Sequence, residues 1–273
     1  MKLFKRAFNF YLDASIHVAF AVYALARVTM LNFDITYDAV IANALFFGTI
    51  VEYSFIKYSP LAKHYVFITQ KYIKSIQLFS MLCFLFAAYY IFKLNLKTLV
   101  SAAGLVILAF LYVVPALSTK RNFRSLKGVK IYIVGITWSV STVILPLLNN
   151  DLPITTTAVL EMIQRFVFII ILMIPFEIRD LKTDESWLHT LPQVLGVRGV
   201  KRVGVLLVGV FLVLTFFKSE LYINHKVMYV EVFVGLILLT AILFSKKKQA
   251  VYFSSFFVES IPVIWWLLLL LCS

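Results

Sequence analysis

Residues 175–185 (Pro-Phe-Glu-Ile-Arg-Asp-Leu-Lys-Thr-Asp-Glu) hold four of the chain's 13 acidic residues within nine positions. Glu177, Asp180 and Asp184 are spaced by three and four, so on a continuing helix they share one face. Carboxylates crowded in this way repel one another unless a cation sits among them. A divalent ion that prefers oxygen ligands suits such a face, and Mg²⁺ held by one or two carboxylates commonly bridges to substrate phosphates. The other reading is a solvated loop in which Arg179 and Lys182 pair with the acids.

Further ionisable groups interrupt apolar runs, where charge is costly and marks candidate function. Asp13 and His17 stand at i, i+4, and either line a cavity or pair with each other. Glu161 and Arg165 repeat that spacing, as an internal ion pair or as cavity residues. Glu259 and Ser260, followed by Pro262, either face a cavity or stabilise a kink. The two cysteines, Cys83 and Cys272, suggest no disulfide framework, and the four scattered histidines have no metal-ligand spacing. No nucleotide-binding, hydrolase or metalloprotease signature is present.

The elements that must position these residues are membrane helices. The apolar fraction is 62%, the charged fraction 14% and the mean hydropathy +0.94, far from the balance of a soluble domain. Runs near the length needed to cross a bilayer fall at residues 9–30, 37–56, 75–92, 97–117, 128–148, 155–176, 202–217, 227–244 and 250–271. In lipid such runs must be helical, because backbone groups find no water. The first run follows Lys2, Lys5 and Arg6, has no small-residue cleavage site and is read as a span, not a removed signal.

Alternating the loops places 20 of the 26 basic residues on the side of the N-terminus, which makes that side cytoplasmic. Lys93, Lys97, Lys218 and Lys226 fall on the other side. Topology thus accounts for the net charge of +13 without nucleic acid as a partner. The expectation is a single all-α membrane domain over residues 1–273, with nine transmembrane helices, N-in and C-out. The 26 Phe and 14 Tyr either build a pocket for an isoprenoid chain or face lipid.

The stretch Ile178-Arg179-Asp180-Leu181-Lys182-Thr183-Asp184 resembles the second aspartate motif (DxxxD, often preceded by Arg) of the UbiA superfamily of intramembrane prenyltransferases. Thr190-Leu191-Pro192-Gln193-Val194-Leu195-Gly196 is similar to the T-x-P-x-x-L-G stretch that comes after the motif in that family. Tyr112 to Arg121, with Leu126 to Lys130, looks like the family's tyrosine, proline and Lys-Arg stretch between helices four and five. The resemblance implies a UbiA-like bundle of nine helices with the second motif at the cytoplasmic end of the sixth.

It also implies an activity: transfer of a prenyl group from a prenyl diphosphate to an aromatic or other lipophilic acceptor. Asp180 and Asp184 would bind Mg²⁺ with help from Glu177. Arg179, Lys182, Lys120, Arg121 and Lys57 would neutralise the diphosphate. Glu52, Tyr53, Asp13, His17 and Tyr112 are candidate polar residues of the cavity. The expected setting is a bacterial plasma membrane, with the active site facing the cytoplasm among membrane lipids.

The family's first motif, N-x-x-x-D-x-x-x-D on the second helix, is altered here. Thr49, Tyr53 and Lys57 take its three positions, and the nearby carboxylate, Glu52, is one residue out of phase, about 100° around the helix. Three readings are open: one metal ion at Asp180 and Asp184 suffices, with Lys57, Lys120 and Arg121 on the diphosphate; the substrate is a different phosphate compound; or the fold is kept without catalysis and binds an isoprenoid or other lipid.

Overall fold

The structure, a computed structural model, describes residues 2–58, 71–113, 128–184, 188–219 and 225–272. All regular structure among these residues is helical. We number the elements α1 (Lys2–Asp13), α2 (Ile16–Asn32), α3 (Ala39–Tyr58), α4 (Lys71–Ile91) and α5 (Leu96–Val113). Next come α6 (Lys130–Asn149), α7 (Thr156–Asp180), α8 (Leu191–Ser219), α9 (His225–Phe244) and α10 (Phe253–Cys272). Among the described residues seven helices are long and apolar enough to cross a membrane, and the bent pair formed by α1 and α2 passes the same test jointly. The apolar part of α5, Leu96–Ala109, is shorter. This is an integral membrane bundle.

The first expected span needs correction. Residues 9–30 do not form one helix: the chain turns at Ala14 and Ser15, where Ser15 has φ 61°, and α2 leaves α1 at 56°. The α1 sequence KLFKRAFNFYLD is amphipathic, the pattern of a helix lying along an interface. Its Phe8 ring meets Tyr252 and Phe256 near the start of α10 at 5.1 Å each, and Phe10 meets Phe79 of α4 at 5.7 Å. Its C-terminal carbonyls are tied down as well. Tyr58 donates to the Asp13 carbonyl at 3.0 Å and Lys57 Nζ to the Leu12 carbonyl at 3.3 Å.

Helix α2 packs on α3 and α10, and α7 packs on α6, α8 and α9. The core lies between them, in Leu25 and Val28 of α2, Phe168 and Leu172 of α7, Phe211 of α8, Val234 of α9 and Trp265 of α10. The Phe168 ring lies 5.1 Å from Trp265 and 6.1 Å from Phe211. The α4 helix keeps Met81, Leu82, Phe84 and Leu85 exposed, as suits a surface whose solvent is hydrocarbon.

Loop chemistry fixes the helix ends. Thr155 caps α7 by accepting from the Ala158 amide at 3.3 Å, and Asn95 caps α5 by accepting from the Thr98 amide at 2.8 Å. Asp38 caps α3 and also accepts from Asn149 at 2.6 Å and Asn150 at 3.1 Å, which ties two loops at the end of the bundle away from Asp180. Where α6 crosses α7, Gly135 allows close approach: a Cβ there would lie 2.8 Å from the Phe166 ring. Gly135→Leu is therefore expected to cost about 3 kcal/mol by overpacking, read as a lowered unfolding midpoint in detergent. An unchanged midpoint would show that the crossing can open at no cost.

Candidate functional site

One end of the bundle gathers the C-termini of α3 and α7 and the N-termini of α6 and α10. A cavity of about 210 Å³ opens between these helices. Its walls are Ile169, Leu172, Met173 and Phe176 of α7, Ile133, Val134 and Trp138 of α6, and Tyr53 of α3. Its charged groups are Glu52 of α3, Lys130 of α6, Asp180 of α7 and Glu259 of α10. An apolar pocket with a few converging polar groups is the usual form of a ligand site. Trp138 Nε1 donates to the Tyr53 hydroxyl at 3.1 Å, which fixes both rings in the wall.

Helix α7 delivers Asp180 because it stays helical past Pro175 to its last residue. The Asp184 amide then donates to the Asp180 carbonyl at 2.8 Å, prolonging the helical spacing. The three acids do not act as one face. Asp180 lines the large cavity, whereas Glu177 and Asp184 line a separate pocket of about 40 Å³ with Gly128 and Thr190. Lys130 lines both, and its ammonium stands 3.2 Å from Glu177, which is buried. Gly128 has φ 67° and donates its amide to the Leu188 carbonyl at 3.0 Å; a side chain there would be strained.

Arg179 grips Asp180 through both carboxylate oxygens, Nε at 2.7 Å and Nη2 at 3.2 Å, with its guanidinium 5.2 Å from the Phe176 ring centre. Lys182 is exposed and does not line the cavity. The pairing expected of the loop therefore occurs with Arg179, but Glu177 takes Lys130 as its cation.

The remaining sequence-derived candidates divide. Glu52 and Tyr53 both line the cavity, although Glu52 is one position out of phase with the motif. Lys57 does not line it; it binds the end of α1, close enough to act electrostatically on Glu259. Asp13 and His17 neither pair nor line the cavity. Asp13 accepts from Tyr72 at 2.7 Å, while His17 bonds Tyr11 at 2.8 Å and the Phe256 carbonyl at 3.0 Å. Lys120, Arg121 and the side chain of Tyr112 lie outside the described residues.

Among the described residues no three Asp, Glu, His or Cys side chains form a metal cage. Asp180 and Asp184 open onto different pockets, and Glu177 is paired with Lys130.

A second polar assembly lies deep in the other half of the bundle. Arg165 reaches Glu161 at 2.8 Å, Lys218 reaches Glu161 at 2.5 Å and Glu231 at 2.7 Å, and all four side chains are at most 1% exposed. Gln164 joins by donating to Glu231 at 3.0 Å and Thr215 at 2.7 Å. The Arg165 guanidinium also donates to the Leu25 carbonyl at 2.8 Å and lies 4.8 Å from the Trp265 ring. Lys218, which the sequence places as a loop lysine on the outer side, is thus the centre of a buried quartet with two charges of each sign. The signal for it is Thr215 and Lys218 one turn apart, directly after the unbroken apolar run 203–214 of α8.

No family model and no curated protein matches the sequence. A solved structure of digeranylgeranylglyceryl phosphate synthase, a protein studied in membranes, matches over 98% of this chain and 98% of its own. The TM-score is 0.62 and the sequence identity 13%. At that identity the likeness is one of fold: the chain shares the helical membrane fold of that synthase.

Proposed function

We propose that the chain is an intramembrane prenyltransferase that moves a prenyl group from a prenyl diphosphate to a lipophilic acceptor, with Mg²⁺ as cofactor. The observation that carries the proposal is the cavity: aromatic and aliphatic walls lead from within the bundle to Asp180 and Lys130 at its end. The walls suit an isoprenoid chain, and the charged mouth suits its diphosphate. The fold shared with a synthase of a digeranylgeranyl lipid supports the same reading.

In this reading Asp180 and Asp184 would hold the metal, with Glu177, which is paired with Lys130, as a neighbour. When bound, Mg²⁺ supplies electrostatic stabilisation of the departing diphosphate. Lys130 presents an ammonium to phosphate oxygens at the mouth. Arg179 shields Asp180 before substrate arrives and can turn toward phosphate, for which its fork of donors is suited. Trp138, Tyr53 and Phe176 stabilise positive charge on the allylic carbon through their ring faces. Opposed leaflets are distinguished by the basic loops: the mouth faces the cytoplasm, in a nine-span, N-in arrangement, and for a bacterial cell that membrane is the plasma membrane.

The test is binding of labelled geranylgeranyl or farnesyl diphosphate to the purified chain in detergent. Binding that requires Mg²⁺ and is lost with chelator supports the reading; no binding in either condition refutes it. A second reading, a lipid-binding protein without catalysis, is favoured by the grip of Arg179 on both oxygens of Asp180. It requires metal-independent binding with no diphosphate release.

A further inference from the structure

At the end of the bundle away from Asp180, one arginine stands among apolar helices without a carboxylate partner. Arg27 lies five residues before the end of α2, about 8 Å along the helix axis. It makes no hydrogen bond or ion pair among the described residues, and its Nε is buried without an acceptor. Charge within a membrane span is costly and marks candidate function. Arg165 of α7 meets the same cost by pairing with Glu161. Arg27 does not.

Aromatic rings hold this guanidinium in place. Its central carbon lies 4.1 Å from the Tyr37 ring centre and 5.9 Å from that of Trp266. Tyr37 belongs to the link between α2 and α3, and Trp266 lies on α10, six residues before its end. Ring contacts offset part of the cost of the charge but leave the guanidinium donors without acceptors. Trp266 Nε1 is a second buried donor that meets no acceptor among the described residues. The Tyr37 hydroxyl accepts from Tyr23 at 3.2 Å, so its own proton remains to be donated. Toward the middle of the bundle the partly buried rings of Tyr23, Phe20 and Phe46 continue the surface. Tyr23 lies 5.7 Å from Trp266 and 6.3 Å from Phe46, and Phe20 lies 6.1 Å from Trp266.

We propose that Arg27, Tyr37 and Trp266 bind the phosphate of an anionic phospholipid in the leaflet opposite the Asp180 mouth. Every group left unused here is a donor, so the complement is an acceptor with several oxygens. A guanidinium fork matches two oxygens of one phosphate. The depth agrees, because about 8 Å in from a helix end is the interfacial zone where Trp and Tyr gather. A snorkelling arginine carries its whole head into water, whereas the Nε of Arg27 is sealed. The rings of Phe20, Tyr23 and Phe46 offer an acyl chain the contact that a soluble phosphate cannot use. A zwitterionic headgroup would bring an ammonium beside the guanidinium, which favours an anionic one. The bound lipid would bridge α2, its link to α3 and α10, and so stabilise the packed state by mass action. This site stands apart from the cavity and does not depend on the activity proposed there.

The full chain, stripped of lipid in detergent, would be titrated with phosphatidylglycerol, phosphatidylcholine of the same acyl chains, and inorganic phosphate. Native mass spectrometry reads the bound lipid, and thermal unfolding reads its effect. The wild type is expected to hold one phosphatidylglycerol about tenfold more tightly than phosphatidylcholine, with a raised unfolding midpoint. Arg27→Gln should weaken that binding about tenfold or more. Arg27→Lys keeps the charge without the fork, and Trp266→Phe removes the N–H but keeps a ring. Each should weaken binding about three- to tenfold, and these two variants decide if Arg27→Gln does not fold. Lys246→Gln, in the loop before α10, controls for general attraction to basic loops and should change nothing. Phosphatidylglycerol affinity unchanged in the folded Arg27 variants, or lowered as much by Lys246→Gln, would overturn the proposal. So would protection by inorganic phosphate equal to that of the lipid, or binding without preference over phosphatidylcholine.

Discussion

Lys218→Met is expected to destabilise the protein by about 3–5 kcal/mol, because it removes one partner from a fully buried set of charges. Glu161 keeps Arg165, but Glu231 is left with Gln164 and Thr215 nearby and no cation. The Glu161–Lys218–Glu231 chain links α7, α8 and α9, so the loss spans the helices that pack on the core. The double variant Lys218→Met/Glu231→Gln removes one charge of each sign and retains the Arg165–Glu161 pair. It should recover most of the loss, since replacing a buried pair by neutral groups is often close to neutral while breaking one is not. Unfolding in mixed micelles at graded denaturant reads both effects. A single variant within about 1 kcal/mol of wild type would mean that water reaches Glu231 and solvates it.

Asp180→Asn is expected to act in the opposite way, on function and hardly on stability. The Asp180–Arg179 pair is part-exposed and adjacent in sequence, an arrangement whose contribution to folding is at most about 1 kcal/mol. The substitution keeps the shape of the side chain and removes the carboxylate charge that the proposed function assigns to Mg²⁺ binding. Loss of one such electrostatic group typically lowers turnover about 10²–10³-fold. Metal-dependent binding of prenyl diphosphate should fall with it, while the unfolding midpoint stays put. Donor binding equal to wild type in Asp180→Asn would remove this residue from the metal site. The two variants thus separate the inert charged core from the charged mouth.

The loop acids are legible in the residues because their spacing is local: positions three and four apart meet on any helix. What each acid faces is not. Glu177 and Asp184 turn to a small pocket with Lys130, and Asp180 turns to the large cavity, because α6 inserts beside the end of α7. Glu52 illustrates the same limit. A motif register places it off the face, yet the way α3 packs brings both Glu52 and Tyr53 to the cavity wall. Glu259 stays ambiguous in the residues because the π-helical turn before it, over Phe253–Val258, has no periodic signature.

Membrane residence, an all-helical build and an acid cluster after the helix ending at Asp180 can all be read from the residues without coordinates. Composition and hydrogen-bond demand in lipid suffice for that, since each helix satisfies its own backbone. The break between α1 and α2 at a left-handed Ser15, and the sealing of Lys218 between Glu161 and Glu231, emerge only when the helices are packed. So does the convergence of Glu52, Asp180 and Glu259, from three helices, on one chamber. One cause underlies all three. Which groups meet depends on how helices far apart in sequence rotate and pack, and no local period records that rotation.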